Sequence, residues 1–452
     1  MAQLFFTQQL ARFTAVPEVA TSAGRLREGL DSAFALNPRL RGYVLDDQGC
    51  LRPNVVIFID GRRCVDTRRL DDPLQPDSKV YVLQALSGGS RELSMQAYVA
   101  TRKGLFELSY TGGRWEFGPV HFLGDPVSMV LPDRRDGTLY AALNLGHFGV
   151  KLHRKQGEIW TELPAPAYPP KPEGLEEKVE WTNKLIWSLE AGGADQPGVL
   201  WAGTLPGGLF RSGDRGDSWE LVRPLWDMPG RPQWFGGGYD DPGIHSISID
   251  PRDSRSLLVG ISCAGAWRTE DGGASWALSA KGMRADYMPP EMQDKEEAQD
   301  PHRIVRCAGE PDVLWCQHHN GVWRSSDAGR SWQEIRNMPL SHFGFAVAAH
   351  PRDGQTAWFV PAEKDERRIP LGASLAVTRT RDGGKTFDVL RAGLPQEHCY
   401  DLVYRHGLAV HEDGRTLIMG STTGNLWVSD NGGDSWHAVA GNLPPVYAVG
   451  FQ

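Results

Sequence analysis

The stretch at residues 212–219, SGDRGDSW, decides the fold of this chain, and residues 269–276 repeat it as TEDGGASW. Both fit one eight-residue pattern: Ser or Thr, any residue, Asp, any residue, Gly, two residues of any kind, and an aromatic residue. In a tight hairpin, such an aspartate accepts backbone N–H groups of the turn and the glycine supplies a positive φ. The aromatic residue then packs back between sheets. The pattern therefore predicts a structural turn.

The pattern recurs along most of the chain. Copies that match the pattern closely begin at Ser212, Thr269, Ser325, Thr380 and Ser429, and degenerate copies begin at Ser109 and His153. Successive copies start 44 to 59 residues apart. In the copy at Ser429, Asn431 replaces the aspartate. Each repeat has room for four short strands, and seven such repeats predict a seven-bladed β-propeller.

The two ends of this repeat region complement each other. The first repeat begins at Met95 with what looks like a second strand, and residues 446–451 form an apolar strand with no repeat of their own. We therefore expect the terminal strand to close the first blade and remove exposed sheet edges. We expect the aspartates of this pattern to stabilise their own turns and to have no catalytic role. They are Asp214, Asp271, Asp327 and Asp382.

This eight-residue pattern resembles the Asp-box, or BNR, motif of sialidase-like propellers. The resemblance implies the fold and leaves function open, since Asp-box propellers include sialidases, xyloglucan-cleaving hydrolases, sortilin-type receptors and photosystem assembly factors. A sialidase would need an arginine triad, announced by an (F/Y)RIP motif ahead of the first Asp-box. The related string RRIP, at residues 367–370, falls in the sixth repeat within a charged loop. Its position argues against a sialidase.

The first 89 residues follow different compositional rules, because all 16 tryptophans lie after Ser90. Apolar residues recur at helical spacing within residues 24–41, and Pro38 after Asn37 is an end signal. Strand-like stretches lie around residues 4–13, 55–59, 64–65 and 80–83, with Asp60-Gly61 as a hairpin turn. Two hairpins around one helix predict a β-grasp domain over residues 1–89, followed by the propeller over residues 90–452.

The same segment resembles the MoaD/ThiS family of ubiquitin-like sulfur carriers, through NPRLRGYVLDDQGCLRPNVVIFIDGRR at residues 37–63 and LDDPLQPDSKVYVLQALSGG at residues 70–89. The resemblance implies that the Gly88-Gly89 tail enters an adenylating enzyme of the ThiF/MoeB type, which supplies ATP and activates the tail carboxylate. Here Ser90 follows, so the tail requires cleavage by a JAMM-type or other peptidase, or the domain has become a recognition module. A flexible interdomain joint is the alternative.

Composition and charge exclude several classes of protein. The net charge is −8, with 37 basic and 46 acidic residues after residue 89, which is the wrong sign for a nucleic-acid or anionic-membrane surface. No run approaches 18 apolar residues, and the stretch MAQLFFTQQLARF has neither a basic start nor a seven-residue apolar run, so we expect neither a transmembrane span nor a secretory signal. Six cysteines without a CxxC pair suit a reducing compartment. We expect a cytoplasmic protein.

Residues that precede the innermost strand of each blade should surround the mouth of the propeller channel. Besides Asp125 and Asn183, these positions hold Lys184, His245, His302, Arg303, His342, His398 and Tyr400. Loops between second and third strands open on the same face and add His147, His318 and His319. Seven of the 13 histidines fall on this predicted surface.

Three interpretations of these histidines stay open. In the first, the histidines bind ordered water at the mouth of a water-filled channel. In the second, His245, His302, His342 and His398 bind a metal ion, for which imidazole is a suitable ligand. In the third, the histidines bind an anionic or polar ligand or act in acid–base catalysis, together with Lys184 and Arg303.

Two classes of function follow from these features. The leading interpretation is a sulfur-carrier-type module fused to a propeller that binds a ligand or partner. The alternative is a glycosidase-like, lyase-like or metal-dependent enzyme with its site at the channel mouth. Glycoside hydrolysis by two carboxylates would draw on Asp125, Asp240, Asp241 or Glu363.

Overall fold

The computed structural model describes residues 1–6, 18–46, 48–52, 55–64, 66–84 and 95–452. The chain divides into two compact units, Met1–Ser94 and Met95–Gln452. The boundary expected between Gly89 and Ser90 lies outside the described residues. Among those residues, no helix has the length and apolar character to cross a membrane, and the cytoplasmic location stays a prediction.

The first unit is a mixed sheet with two helices. In chain order its elements are β1 (Ala2–Phe6), β2 (Val19–Thr21), α1 (Leu26–Leu36), α2 (Pro38–Val44), β3 (Val55–Ile59), β4 (Arg62–Arg63) and β5 (Lys79–Gln84). The strand order is β2-β1-β5-β3-β4, in which β1 and β5 run parallel. The buried face of α1 packs with the apolar side chains of these strands in one core.

Two local predictions in this unit can be compared with the structure. The hairpin turn is confirmed, because Asp60 and Gly61 have φ angles of 51° and 80° between β3 and β4. The single helix predicted within residues 24–41 is too long, because the structure divides this segment into two helices. Helix α1 ends at Leu36, and Leu40 belongs to α2, which begins at Pro38 with the Asn37 side chain accepting the Arg39 N–H. Proline at a first helical position starts a helix readily, because it has no N–H to leave unpaired.

The second unit is built from strands throughout. In chain order they are β6 (Gln96–Thr101), β7 (Gly104–Thr111), β8 (Arg114–His121), β9 (Val127–Asp133), β10 (Thr138–Asn144), β11 (Val150–Gln156), β12 (Ile159–Leu163), β13 (Leu185–Ala191), β14 (Leu200–Leu205), β15 (Leu209–Ser212), β16 (Glu220–Leu221), β17 (Ile244–Asp250), β18 (Asp253–Ile261), β19 (Gly265–Thr269), β20 (Ala277–Leu278), β21 (Pro301–Arg306), β22 (Leu314–His318), β23 (Gly321–Ser325), β24 (Gln333–Ile335), β25 (Gly344–Ala349), β26 (Ala357–Pro361), β27 (Val377–Thr380), β28 (Asp388–Leu390), β29 (Leu408–Val410), β30 (Leu417–Gly420), β31 (Leu426–Ser429), β32 (His437–Ala440) and β33 (Val446–Phe451). A short helix α3 (Arg223–Trp226) and four 3₁₀ turns lie in the connections: Gly146–Phe148, Arg231–Gln233, Glu296–Ala298 and Leu371–Ala373.

These strands form four-stranded sheets arranged as a β-propeller. Each sheet is an antiparallel run such as β17-β18-β19-β20, and the described residues make seven of them. The first strands of successive sheets contact one another in the order β9, β13, β17, β21, β25, β29 and β33, and β33 contacts β9. We call these the inner strands, because their contacts close a ring.

The ring is closed by pairing between the two ends of the unit. Strand β33 runs antiparallel to β6 in the sheet β33-β6-β7-β8, with Val449 opposite Val99. This confirms the expectation that the terminal strand completes the first sheet. It also removes an exposed sheet edge.

The repeated turns have the predicted internal hydrogen bonds. In the turn at Asp327, Oδ1 accepts the Ser331 N–H at 2.9 Å and the Ser325 hydroxyl at 2.8 Å, and Oδ2 accepts the Ser331 hydroxyl at 2.6 Å. Asp214, Asp271 and Asp382 form the same contacts with their own turns. In the last turn Asn431 accepts the Ser435 N–H through Oδ1. These carboxylates therefore hold their own turns together by hydrogen bonds.

Candidate functional site

The second unit contains a cavity with a volume of about 790 Å³. Its walls come from the first residues of inner strands, from the segments that precede them, from the loop between β10 and β11, and from Arg368 between β26 and β27. Its aromatic lining consists of Phe148, Trp187, Tyr239, Tyr404 and Tyr447. Its charged and amide groups are Asp125, Asn144, Arg368, Arg405 and His406. We refer to this space as the main cavity.

Arg405 is the buried cation of the main cavity and is 5% exposed. Its guanidinium carbon lies 4.8 Å from the ring centre of Trp187 and 5.1 Å from that of Phe345. Its Nε has no hydrogen-bond partner within the described part of the chain. Burial lowers the pKa of Arg405, although the nearby Asp300 carboxylate opposes the shift. The cavity wall thus offers a stacked cation with unused hydrogen-bonding capacity.

The predicted carboxylates occupy different environments around this cavity. Asp125 is exposed and lines it. Asp241 forms a close ion pair with Lys184, next to the lining residue Leu185. Asp240 is exposed, and Glu363 forms an ion pair with Arg367 at 2.9 Å. Among the predicted carboxylates, Asp125 therefore lines the cavity, and Asp241 is linked to it through its ion pair with the neighbour of a lining residue.

A second cavity, about 250 Å³, is lined by residues of all seven inner strands and is the central channel. Glu190 and Arg303 both line it. Burial raises the pKa of Glu190 to about 7, and the Arg303 charge opposes this rise. Arg303 Nη1 donates to the His245 carbonyl at 3.0 Å, and burial lowers the pKa of Arg303 to about 10. Arg303 therefore belongs to the channel wall and does not line the main cavity.

His245 is fully buried beside the main cavity. Its Nδ1 lies 2.9 Å from the Ser246 hydroxyl, and its ring meets Trp187 edge-on at 5.4 Å. Burial holds the pKa of His245 well below its usual range. The neutral ring supports Trp187 from behind the cavity wall.

Of the residues predicted to surround the channel mouth, only Asp125 lines the main cavity. His147, His342, His398 and Tyr400 are exposed and lie outside its lining. The inner strand of the last repeat begins only at Leu408, so Tyr404, Arg405 and His406 take the place expected for His398 and Tyr400. Of the four histidines predicted as possible metal ligands, His245, His302, His342 and His398, only His302 belongs to a group of three ligand-type side chains within the described residues.

The structure brings His302 together with Asp300 and His319, which we call the Asp300 cluster. Asp300 Oδ2 lies 3.4 Å from His302 Nε2 and 3.4 Å from His319 Nδ1. The pairing of Pro301 with His318 in β21 and β22 places Asp300 opposite His319, and the His319 N–H donates to the Asp300 carbonyl at 3.0 Å.

His318 supports this cluster from its buried side. Its Nε2 accepts the Asp300 N–H at 3.0 Å, and burial lowers the pKa of His318 to about 3, so the ring stays neutral. The sequence interpretation included all three histidines and missed Asp300. The available signal was the Asp-x-His spacing at the start of an inner strand, with a histidine at the antiparallel partner position.

Comparisons with known proteins find similarity to parts of xyloglucanases. No protein-family model matches the chain. A xyloglucanase of Acetivibrio thermocellus is 36% identical over 157 residues, which are 30% of this chain and 18% of that protein. A probable oligoxyloglucan-reducing end-specific xyloglucanase of Neosartorya fischeri is 24% identical over 271 residues, 53% of this chain and 30% of that protein. The chain thus spans less than a third of the length of either relative.

Among solved structures, the GH74 xyloglucanase of Xanthomonas campestris aligns with a TM-score of 0.47 and 19% identity, over 76% of this chain and 47% of that one. The curated matches are longer than the whole first unit, so they extend into the propeller. The interpretation of the chain as a sulfur-carrier-type fusion is therefore wrong, and its alternative agrees better with these relatives. Gly88, Gly89 and Ser90 lie outside the described residues, and the adenylating and peptidase partners stay predictions.

Proposed function

We propose that the propeller unit binds an oligosaccharide in the main cavity and cleaves it as a glycoside hydrolase. The observation that carries this proposal is the lining of the cavity, where five aromatic side chains stand among hydrogen-bonding groups. Sugar rings present apolar C–H faces and polar hydroxyl edges. Aromatic rings suit the faces, and guanidinium, amide and carboxylate groups suit the edges.

The size of the cavity agrees with a ligand of several sugar rings, because small-molecule sites commonly have volumes of roughly 300–1,000 Å³. Trp187 and Tyr239 meet edge-on at 5.0 Å and present a fixed aromatic corner. The sequence relatives supply the substrate class, since their names describe xyloglucanases. We therefore take xyloglucan oligosaccharides as the proposed substrate.

For the reaction, we assign Asp125 and Asp241 as the carboxylate pair. Glycoside hydrolysis uses one carboxylic acid to protonate the leaving oxygen, while a second carboxylate attacks or activates water. Asp125 lines the cavity, and Asp241, which is outside that lining, forms an ion pair with Lys184 next to the lining residue Leu185. Binding to the aromatic corner would orient the glycosidic bond between these two side chains.

The test measures cleavage and binding separately on the full chain. Release of reducing ends from xyloglucan oligosaccharides should fall at least about 100-fold in Asp125→Asn and in Asp241→Asn, with binding retained by calorimetry. Asp240→Asn is the matched control, since Asp240 adjoins Asp241 in sequence and is exposed. Wild-type protein that neither binds nor cleaves these oligosaccharides would overturn the proposal, and binding without cleavage would reduce it to a carbohydrate-binding protein.

We propose that each four-stranded sheet is one blade of a seven-bladed Asp-box propeller, and that the first unit is a β-grasp domain. The hydrogen bonds of the repeated turns support the first assignment, and the parallel pairing of β1 with β5 beside α1 supports the second. The glycoside hydrolase activity resides in the propeller alone.

A further inference from the structure

We propose that Asp300, His302 and His319 bind one divalent transition-metal ion. The three side chains each offer one ligand atom, and these atoms all lie within 4.8 Å of one another. Two imidazole nitrogens and one carboxylate oxygen form a donor set suited to Zn²⁺, Fe²⁺ and neighbouring first-row ions. In the part of the chain that the structure describes, this is the single group of three or more His, Cys, Asp or Glu side chains with that geometry.

The atoms that point away from the proposed metal are already engaged. His302 Nδ1 lies 2.7 Å from the Gly344 carbonyl, which leaves Nε2 free to face Asp300. Asp300 Oδ1 accepts the Cys263 N–H at 3.2 Å, which leaves Oδ2 toward both histidines. Metal sites commonly fix their histidines in this way, with the second ring nitrogen donating to a carbonyl or carboxylate.

His319 completes the arrangement from the more open side. Its Nδ1 faces Asp300, and its Nε2 lies 3.9 Å from Asp365 Oδ2. The ring packs edge-on against Tyr287 at 4.7 Å. Both rings are thus oriented by neighbours, which lowers the entropy that metal binding would cost.

Charge gives a second, independent reason for a cation at this position. The Asp300 side chain is 3% exposed, and its ion-pair partners among the described residues are the two histidines alone. The Arg405 guanidinium interacts with Asp300 through its charge, and it lies 5.1 Å from the ring centre of Phe345, on which the His302 ring stacks at 4.4 Å. Burial of a carboxylate is costly, and a divalent ion would place positive charge in direct contact with Asp300, which Arg405 does not, since it forms no ion pair with Asp300 among the described residues.

The site leaves room for further ligands on the metal. Three protein ligands are fewer than the four or more that these ions take, so water or a bound ligand would fill the remaining positions. The His319 side chain is 23% exposed, which gives solvent access to the site from that side. The site lies outside the lining of the main cavity and forms a separate centre behind its wall.

The experiment uses Co²⁺ as a spectroscopic probe on the full chain after removal of metals with a chelator. Wild-type protein should bind one Co²⁺ per chain and develop visible d–d absorption bands, and Zn²⁺ should displace them. His319→Ala should weaken Co²⁺ binding by more than about 100-fold, since loss even of an outer contact costs roughly 10–100-fold. Asp300→Asn should do the same, and His398→Ala is the control because His398 is an exposed histidine that does not belong to the cluster.

Circular dichroism of each variant separates lost ligands from lost folding, and His319 is chosen because its side chain is partly exposed. Equal Co²⁺ binding by wild type and His319→Ala, or no binding by wild type below about 10 µM, would overturn the proposal. The readout is metal binding, so its result is independent of oligosaccharide cleavage.

Discussion

The Arg405 guanidinium lies over the indole ring of Trp187, with its central carbon 4.8 Å from the ring centre. The same guanidinium also faces Phe345, so it is held between two aromatic side chains from different inner strands. The cation is thereby fixed at the wall of the main cavity. A planar group held in this way has its orientation set before any ligand arrives.

We predict that Arg405→Lys weakens binding of xyloglucan oligosaccharides about 10-fold, because a lysine ammonium keeps the charge but loses the planar, stacked geometry. Isothermal titration calorimetry measures the change. Arg336→Lys is the control, since Arg336 has a side chain 84% exposed and pairs with Glu334. Unchanged affinity in Arg405→Lys would show that this guanidinium does not meet the ligand.

We predict that Asp327→Ala lowers the free energy of unfolding by about 1–3 kcal/mol, because it removes an acceptor of three hydrogen bonds in the turn. Asp327→Asn should cost much less. The chain itself provides the precedent, since Asn431 accepts the Ser435 N–H and donates from Nδ2 to the Ser435 hydroxyl at 2.8 Å.

Urea unfolding monitored by tryptophan fluorescence measures both Asp327 variants. Asp430→Ala is the control, because Asp430 is exposed next to the turn of Asn431. Equal losses in Asp327→Ala and Asp327→Asn would contradict the structural role assigned to the carboxylate.

We predict that Glu190 makes stability fall as pH rises from about 4.5 to about 7. Burial raises the pKa of Glu190 from 4.5 to about 7, so in this window the folded protein holds a proton that the unfolded chain has released. The free energy of unfolding therefore decreases as pH increases through the window. Glu190→Gln should flatten that slope and should be more stable than wild type at pH 8.

The measurement is the denaturation midpoint as a function of pH, with exposed Glu220→Gln as the control. A slope that is identical in wild type and Glu190→Gln would exclude a buried, protonated Glu190.

We predict that Gly237→Ala disrupts the Asp300 cluster. A Cβ at residue 237 would lie 2.8 Å from Cys263 Sγ and 3.0 Å from Asp300 Oδ2, so the carboxylate or the loop must shift. Co²⁺ affinity should fall at least about 10-fold, as for other changes outside the ligand set. Gly238→Ala is the matched control, because its nearest contact is the Arg405 guanidinium at an ordinary 3.8 Å. Equal Co²⁺ binding by the two variants would contradict the proposed position of the metal.

The propeller could be predicted from the sequence because its turns are local. Each turn depends on hydrogen bonds within eight residues, such as those from Ser325 to Ser331, so the pattern is visible without any tertiary information. The closing strand was also predictable, since an apolar segment without a repeat of its own must pair with the incomplete first sheet. The extent of the first helix was less clear, because helical spacing continues across the Asn37 boundary into α2.

The site was harder to predict because it depends on where each inner strand begins. The last inner strand starts at Leu408, so Arg405 reaches the main cavity while His398 stays exposed. The Asp300 cluster depends on the register of one hairpin, which pairs Pro301 with His318, and on the bulge that follows Pro301. No spacing rule fixes that register in advance.

The pairing of β33 with β6 makes the propeller unit nearly circular. The Gln452 N–H donates to the Gln96 carbonyl at 2.9 Å, so the first and last residues of the ring meet in one sheet. A short peptide linking them would leave every strand pairing intact, and new termini could then be opened in a connection between any two neighbouring sheets. The chain could therefore start at a different sheet while the spatial order of the sheets stays the same. The unit is a natural candidate for circular permutation.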